Sequence, residues 1–249
     1  MKFYMLVLGL DTTTRQGSAA LTRDGAVLGT VTGDAMLSHG ERLPGDLMRL
    51  LSAHALRMAD VDLFAVASGP GSFTGLRVGI ATLQGLALAN GRPLVGVSAL
   101  DALNAAVRSS LAPHRSPLTS GEGHVACWID AQRGQVFSAL YGADEAVEGP
   151  VVEKPADVLR RWDGRTPPLF VGDGALNYEA MIKEAFPGAD IAPEVPPLAP
   201  TIARLAEAHM REHGPVAPDA IRPIYIRRSD AELARERAVR LKLDSTSAS

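Results

Sequence analysis

Short apolar runs separated by polar turns organise this chain. Met5 to Leu10 reads as a buried strand, and Ser18 to Thr22 and Ala26 to Thr32 follow as two more. Arg23-Asp24-Gly25 joins the last two, and Asp-Gly between apolar runs is a strong hairpin signal. Ser38-His39-Gly40-Glu41 has the Ser-x-x-Glu form of a capping box, and Leu43, Leu47, Leu50 and Leu51 then recur on one helical face. Pro44 falls inside that helix and removes one backbone donor, which predicts a bend. Gly40 and Gly45 in the same helix point to close packing against another backbone or to simple irregularity. Val61 to Ala67 is a further buried strand and Leu76 to Asn90 a helix stopped by Asn90-Gly91. Leu94 to Val97 and Leu100 to Val107 complete the half as strand and helix. Three antiparallel strands followed by helix, strand, helix, strand is a ribonuclease-H-like layout of the α/β class.

The pattern then breaks. Residues 109–124 are rich in Ser, Pro, Gly and His and read as a linker or long loop. Val125 to Asp130 and Val136 to Tyr141 restart the strands around an Ala131-Gln132-Arg133-Gly134 turn. Pro155 to Trp162 predicts a helix, Leu169 to Val171 a strand, Tyr178 to Phe186 a helix, and Thr201 to His213 a helix ended by Gly214-Pro215. The second half is thus a weaker, more loop-rich echo of the first. We expect a first domain over residues 1–108, a reduced second domain over 109–226, and a charged helix with a frayed tail over 227–249.

Composition narrows the class. The 249 residues are 46% hydrophobic and 21% charged, which is ordinary for a globular protein, and only 5% are aromatic. A net charge of -3 gives no overall basic surface for gripping nucleic acid, so a partner is expected to share that task. The single Cys127 rules out an intrachain disulfide, fits a reducing compartment, and lies in an apolar run as a small core residue. No stretch approaches ~18 uninterrupted apolar residues, and the apolar N-terminus lacks a signal-peptide cleavage pattern. The expected location is cytoplasmic, with no membrane partner.

Three segments carry candidate chemistry. Asp11-Thr12-Thr13-Thr14 ends the first strand, where hydroxyls and amides can hold a phosphate and an Asp can hold Mg2+ through water; a polar turn is the plainer alternative. Gly69-Pro70-Gly71-Ser72-Phe73-Thr74-Gly75 combines permissive glycines with a capping hydroxyl at a helix start, a setting that attracts anions or simply packs tightly. It matches neither a Walker loop nor a dinucleotide fingerprint, and Phe73 on the turn suggests a docking contact. His209-Met210-Arg211-Glu212-His213 fits an inverted zinc-peptidase motif, or else a solvated helix end, with Glu232 and Glu236 as the candidates for a third ligand.

Taken in order, these landmarks resemble the TsaB family. Leu8-Gly9-Leu10-Asp11-Thr12-Thr13 is similar to its first strand and phosphate loop, and Ser38-His39-Gly40-Glu41-Arg42-Leu43-Pro44 to its first helix. Gly69 to Gly79 resembles its most distinctive signature, and Asp130 to Phe137, Gly172-Asp173-Gly174-Ala175 and Pro223-Ile224-Tyr225-Ile226-Arg227 its later landmarks. The resemblance spans positions 8–227. It implies an actin/Hsp70-like ATPase fold of two ribonuclease-H-like domains. It also implies a place beside the catalytic paralog TsaD and the ATPase TsaE, which transfer threonylcarbamoyl from its adenylate to the adenosine next to the anticodon of tRNA. On this reading the chain is a non-catalytic subunit that forms a heterodimer with TsaD, is a homodimer when alone, and meets tRNA through the complex. No cofactor is required; weak ATP/ADP and Mg2+ binding is expected mainly in the complex, with Asp11, Thr12 and Thr13 as a vestigial phosphate loop.

One departure is informative. TsaD carries metal-binding histidines in a Val-His-His-Met-Glu-Gly-His segment; the matching stretch here is Val97-Ser98-Ala99-Leu100-Asp101-Ala102-Leu103. Ala99 and Leu103 stand where ligands belong and cannot coordinate a metal. For the partner face we expect the helices Ser38 to Ala53 and Thr74 to Asn90, with Leu43, Leu47, Phe73, Leu76 and Ile80 as contacts. The competing readings are a stand-alone ATPase or sugar kinase of the same fold and a zinc-dependent peptidase.

Overall fold

The computed structural model describes residues 4–111, 123–142 and 145–227. Residues 228–249 of the expected charged tail, with Glu232 and Glu236, lie outside them.

The first sheet has the order β3-β2-β1-β4-β5. Its strands are β1 (Leu6–Asp11), β2 (Ser18–Arg23), β3 (Ala26–Thr32), β4 (Leu63–Gly69) and β5 (Leu94–Ser98). β1 pairs antiparallel with β2 and parallel with β4, the ribonuclease-H-like layout read from the sequence. Both faces of β1 and β4 are covered, which is why their sequences are continuous apolar runs and not alternating ones. Leu6, Leu8, Leu10, Phe64 and Val66 face α1 (His39–Ala53) and α2 (Phe73–Asn90). Val7, Leu63, Ala65 and Ala67 face α3 (Ala99–Leu111) and the helix Ala199–His213.

The second sheet has the order β8-β7-β6-β9, from β6 (Val125–Asp130), β7 (Val136–Tyr141), β8 (Ala146–Glu153) and β9 (Leu169–Val171). Its start repeats that of the first sheet: β6 and β7 pair antiparallel as β1 and β2 do, and β6 pairs parallel with β9. One face packs with α3 into the core cluster shared with the first sheet. The other, built on Trp128 and Phe170, is covered by α4 (Pro155–Arg161) and α6 (Glu179–Ala185), after the single turn α5 (Asp173–Asn177). The expected helix Tyr178 to Phe186 therefore forms as α6 one residue shorter at each end.

Helix α7 (Ala199–His213) follows the second sheet in the chain but lies against the first. Gly9 permits this: a Cβ there would sit 2.4 Å from the carbonyl of Ala199. The Ser18 hydroxyl accepts from the Ala199 amide at 3.1 Å and caps the seat. No described helix is long and apolar enough to cross a membrane.

Candidate functional site

The turn after β1 is built by its own carboxylate. Asp11 Oδ1 accepts from the Thr13 amide at 2.8 Å and from the Thr13 hydroxyl at 2.6 Å. Burial pushes the Asp11 carboxyl above its ordinary value, the two Thr13 bonds pull it back, and the charge of Asp173 pushes it up again. Both threonines are fully covered. A Cβ on Gly71 would stand 2.4 Å from Thr13 Cβ, on Gly75 2.0 Å from the Thr12 carbonyl, and on Gly79 2.2 Å from Thr12 Oγ1. The glycine-rich segment thus closes over the β1 turn, and the Ser72 amide donates to the Thr13 carbonyl at 2.8 Å. The Thr13 hydroxyl is committed to Asp11 and Thr12 faces Gly79, so neither offers a phosphate an open surface. Ser72 caps α2 through the Gly75 amide at 3.2 Å, as its position suggests.

Helix α1 locks the same turn from the other side. Ser38 and Glu41 form the expected capping box. Arg42, which periodicity did not mark as buried, is covered; a Cβ on Gly33 would sit 1.9 Å from its guanidinium. Arg42 pairs with Asp46 at 2.7 Å and also donates to the Gln16 carbonyl and to His39 Nδ1, the latter at 2.7 Å. Because Arg42 can only donate, His39 Nδ1 accepts, and Nε2–H donates to the Thr14 carbonyl at 3.0 Å. The imidazole is therefore neutral, and burial followed by the Arg42 charge holds its pKa below the ordinary histidine value. These residues organise the turn instead of facing a cleft.

The second lobe repeats the strand-end device. Asp130 accepts from the Gln132 amide at 2.9 Å, and Asp173 from the amides of Asp130 at 3.0 Å and Gly174 at 2.9 Å. Burial raises the Asp173 carboxyl, its backbone bonds lower it, and the nearby Asp130 raises it. Gly172 lies at φ 105°, and a Cβ there would be 2.1 Å from the Trp128 carbonyl and 2.9 Å from Leu103. Ala99 and Leu103 are buried in the core cluster between the sheets, so apolar groups fill the place where TsaD's metal ligands would be expected. Among the described residues no group of three or more His, Cys, Asp and Glu side chains could hold a metal ion. The His209 and His213 rings stack on one another at 4.5 Å on the outer end of α7.

Four of the expected partner contacts are corrected here. Leu43, Leu47, Leu76 and Ile80 are all buried against the first sheet, so the periodicity that singled them out marks the core. The outward sides of the same two helices carry Pro44, Gly45 and Met48 on α1, and Ala81, Gly85 and Leu88 on α2. Met48 is 57% and Leu88 60% exposed. Added Cβ atoms at Gly40 and Gly85 would meet nothing within 4 Å, so no packing inside this chain requires glycine there. Phe73 is 39% exposed, and its ring meets Tyr225 at 5.1 Å, a pairing the sequence did not reveal.

Tyr225 belongs to a strap that joins the two lobes. Gln84 donates to the carbonyls of Pro218 and Ile221, and the Ile224 amide donates to the Ser68 carbonyl at 2.7 Å. Arg227 then reaches the β6–β7 hairpin, donating to the Ala131 carbonyl at 2.8 Å and to Gln135. The two sequence landmarks Gly69 to Gly79 and Pro223 to Arg227 are thus one contact in space.

Comparison with known proteins agrees with this geometry. Residues 22–234 match the family model described as TsaD, tRNA N6-adenosine threonylcarbamoyltransferase. An uncharacterised protein of Mycobacterium tuberculosis is 35% identical over 229 residues, covering 91% of this chain and 93% of the relative. The tRNA threonylcarbamoyladenosine biosynthesis protein TsaB of Escherichia coli is 30% identical over 237 residues, covering 91% of this chain and 96% of its own. Among solved structures, YeaZ from Pseudomonas aeruginosa superposes with a TM-score of 0.71 at 27% identity, covering 89% of this chain and 99% of that one. The chain belongs to the TsaB (YeaZ) family.

Proposed function

We propose that this chain is a non-catalytic subunit in the synthesis of N6-threonylcarbamoyladenosine in tRNA, and that it binds and supports TsaD, with the ATPase TsaE, during transfer of threonylcarbamoyl. The observation that carries the reading is the outer side of α1 and α2. A surface helix ordinarily sets charged residues opposite its core stripe. Here Ala81, Gly85 and Leu88 of α2 face outward, with Pro44, Gly45 and Met48 on the neighbouring helix, and the exposed charges Glu41, Arg49 and Arg77 flank this apolar centre. Small and apolar groups on two adjacent helices suit the face of a partner of similar build, TsaD in the complex or a second copy when the chain is alone. Burial of Thr12 and Thr13 and the apolar Ala99 and Leu103 support a role without chemistry of its own. They speak against the stand-alone ATPase or kinase reading, which needs an open phosphate loop.

Size-exclusion chromatography of the chain mixed with TsaD tests this. Leu88→Glu and Met48→Glu should abolish co-elution while leaving the melting temperature unchanged. Co-elution of both charged variants at wild-type levels would refute the assignment of this face.

A further inference from the structure

The strap and the start of α2 build a surface that core packing does not explain. Aromatic residues are only 5% of the chain, and the exposed large hydrophobics include three aromatic side chains, Tyr4, Phe73 and Tyr225. Two of those three meet each other across 152 positions of sequence, their centroids 5.1 Å apart, with Phe73 39% and Tyr225 43% exposed. A contact whose only task was to pin the strap would gain more by burying both rings. The Arg77 guanidinium lies 3.9 Å above the Phe73 ring, and its Nε donates to the Tyr225 hydroxyl at 3.0 Å. These bonds hold both rings and the planar cation in place while leaving part of each ring to solvent.

Two arginines flank the pair in sequence. Residues 68–78 and 220–226 contain Arg77 and Arg222 and no Asp or Glu, with Asp219 directly before the second stretch, in a chain whose net charge is -3. Arg222 is exposed and donates only to the carbonyls of Asp219 and Ile221; neither it nor Arg77 forms an ion pair with a carboxylate among the described residues. Exposed rings braced by one arginine, with a second exposed arginine three residues from Tyr225, suit a ligand that has both flat apolar faces and negative charge. Unpaired nucleotides meet that description, because every base has a face to stack and every phosphate a charge to neutralise.

We propose that Phe73, Tyr225, Arg77 and Arg222 form a contact for unpaired nucleotides of the tRNA substrate, so that this subunit touches RNA directly. The proposal rests on the functional reading above and adds to it a surface at the N-terminal end of α2, where Arg77 stands one turn before Ala81 on the same outer stripe as Gly85 and Leu88. A base stacks on the exposed ring pair, and Arg222 and Arg77 face the backbone phosphates.

The test is fluorescence anisotropy of the full chain, alone and with TsaD, using a labelled RNA hairpin with an unpaired loop and a fully paired duplex of equal length. The hairpin should bind more tightly than the duplex. Phe73→Ala and Tyr225→Ala should each weaken hairpin binding about tenfold, while Tyr225→Phe, which keeps the ring, stays within about twofold of wild type. Arg222→Glu should weaken binding and lower the slope of log K against log salt by about one. Because the alanine variants also loosen the strap, melting curves accompany each, and Arg222→Glu, bonded only to carbonyls of its own turn, decides if they unfold. Wild-type affinity in Arg222→Glu, equal binding of duplex and hairpin, no binding of RNA with or without TsaD, or loss of TsaD co-elution in place of RNA binding would each overturn the proposal. If RNA binding fails in this way while threonylcarbamoyladenosine formation still requires the chain, the proposed contact is wrong and the subunit role stands.

Discussion

His39 and Arg42 lie one helical turn apart, and Arg42 Nη2 donates to His39 Nδ1 at 2.7 Å, fixing the imidazole as a neutral bridge from α1 to the carbonyl of Thr14. Its burial, and then the cation beside it, favour the uncharged ring. In the unfolded chain His39 titrates near the ordinary value of about 6.5. Its folded pKa is lower, so the stability it contributes is fully present above about 6.5 and is lost as pH falls from there toward the folded value. Wild type should therefore lose more melting temperature between pH 7.5 and pH 5.5 than His39→Gln does. At pH 7.5 that substitution should itself cost about 1–2 kcal/mol for the lost buried bonds. Parallel pH dependence of the two proteins would show that His39 is not the titrating group.

Two glycines of α2 separate internal packing from the outer face. A Cβ on Gly75 would be 2.0 Å from the Thr12 carbonyl, whereas one on Gly85 meets nothing within 4 Å. Gly75→Ala should destabilise by about 2–3 kcal/mol, because backbone must move. Gly85→Ala should stabilise the isolated chain by about 0.5–1 kcal/mol through helix propensity. Urea unfolding of the two variants gives both signs in one experiment.

The corrected face makes a second contrast. Leu47→Ala should cost about 2–5 kcal/mol of stability because Leu47 is core, while Leu88→Ala should leave stability within about 0.5 kcal/mol of wild type. Chemical denaturation measures both, and equal effects would contradict the burial that distinguishes them.

Cys127 gives a check on the shared core. Burial pushes its thiol well above the ordinary value, and a thiol kept protonated and covered does not react. The native protein should resist a disulfide thiol reagent at pH 8 and be modified stoichiometrically in denaturant. Fast native labelling would mean that the layer between the two sheets opens.

Much of this arrangement was legible in the sequence, for identifiable reasons. Continuous apolar runs placed β1 and β4, and Asn90-Gly91 ended α2 with Gly91 at φ 60°. The capping box at Ser38 and Glu41 formed as its spacing suggests. β8 went unseen because Gly149-Pro150 interrupts its alternation, and the strand shifts register against β7 there. Four of the five expected contact residues are core for a physical reason: leucine periodicity reports what a helix buries in its own domain. The outward Ala81, Gly85 and Leu88 share helical spacing, but two of the three are small, so they do not stand out as an apolar face beside the leucines of the core. The pairing of Phe73 with Tyr225, and the seating of α7 on Gly9, join residues far apart in the chain, and no local pattern encodes either.

Reconstitution of threonylcarbamoyladenosine formation from purified TsaD, TsaE, threonylcarbamoyl adenylate and tRNA, with and without this chain, tests the subunit role most directly. Product should accumulate with TsaD and TsaE when the wild-type chain is added, fall to the level without it when Leu88→Glu replaces it, and be absent with this chain alone. Equal product with and without the chain, or product from the chain alone, would contradict the account.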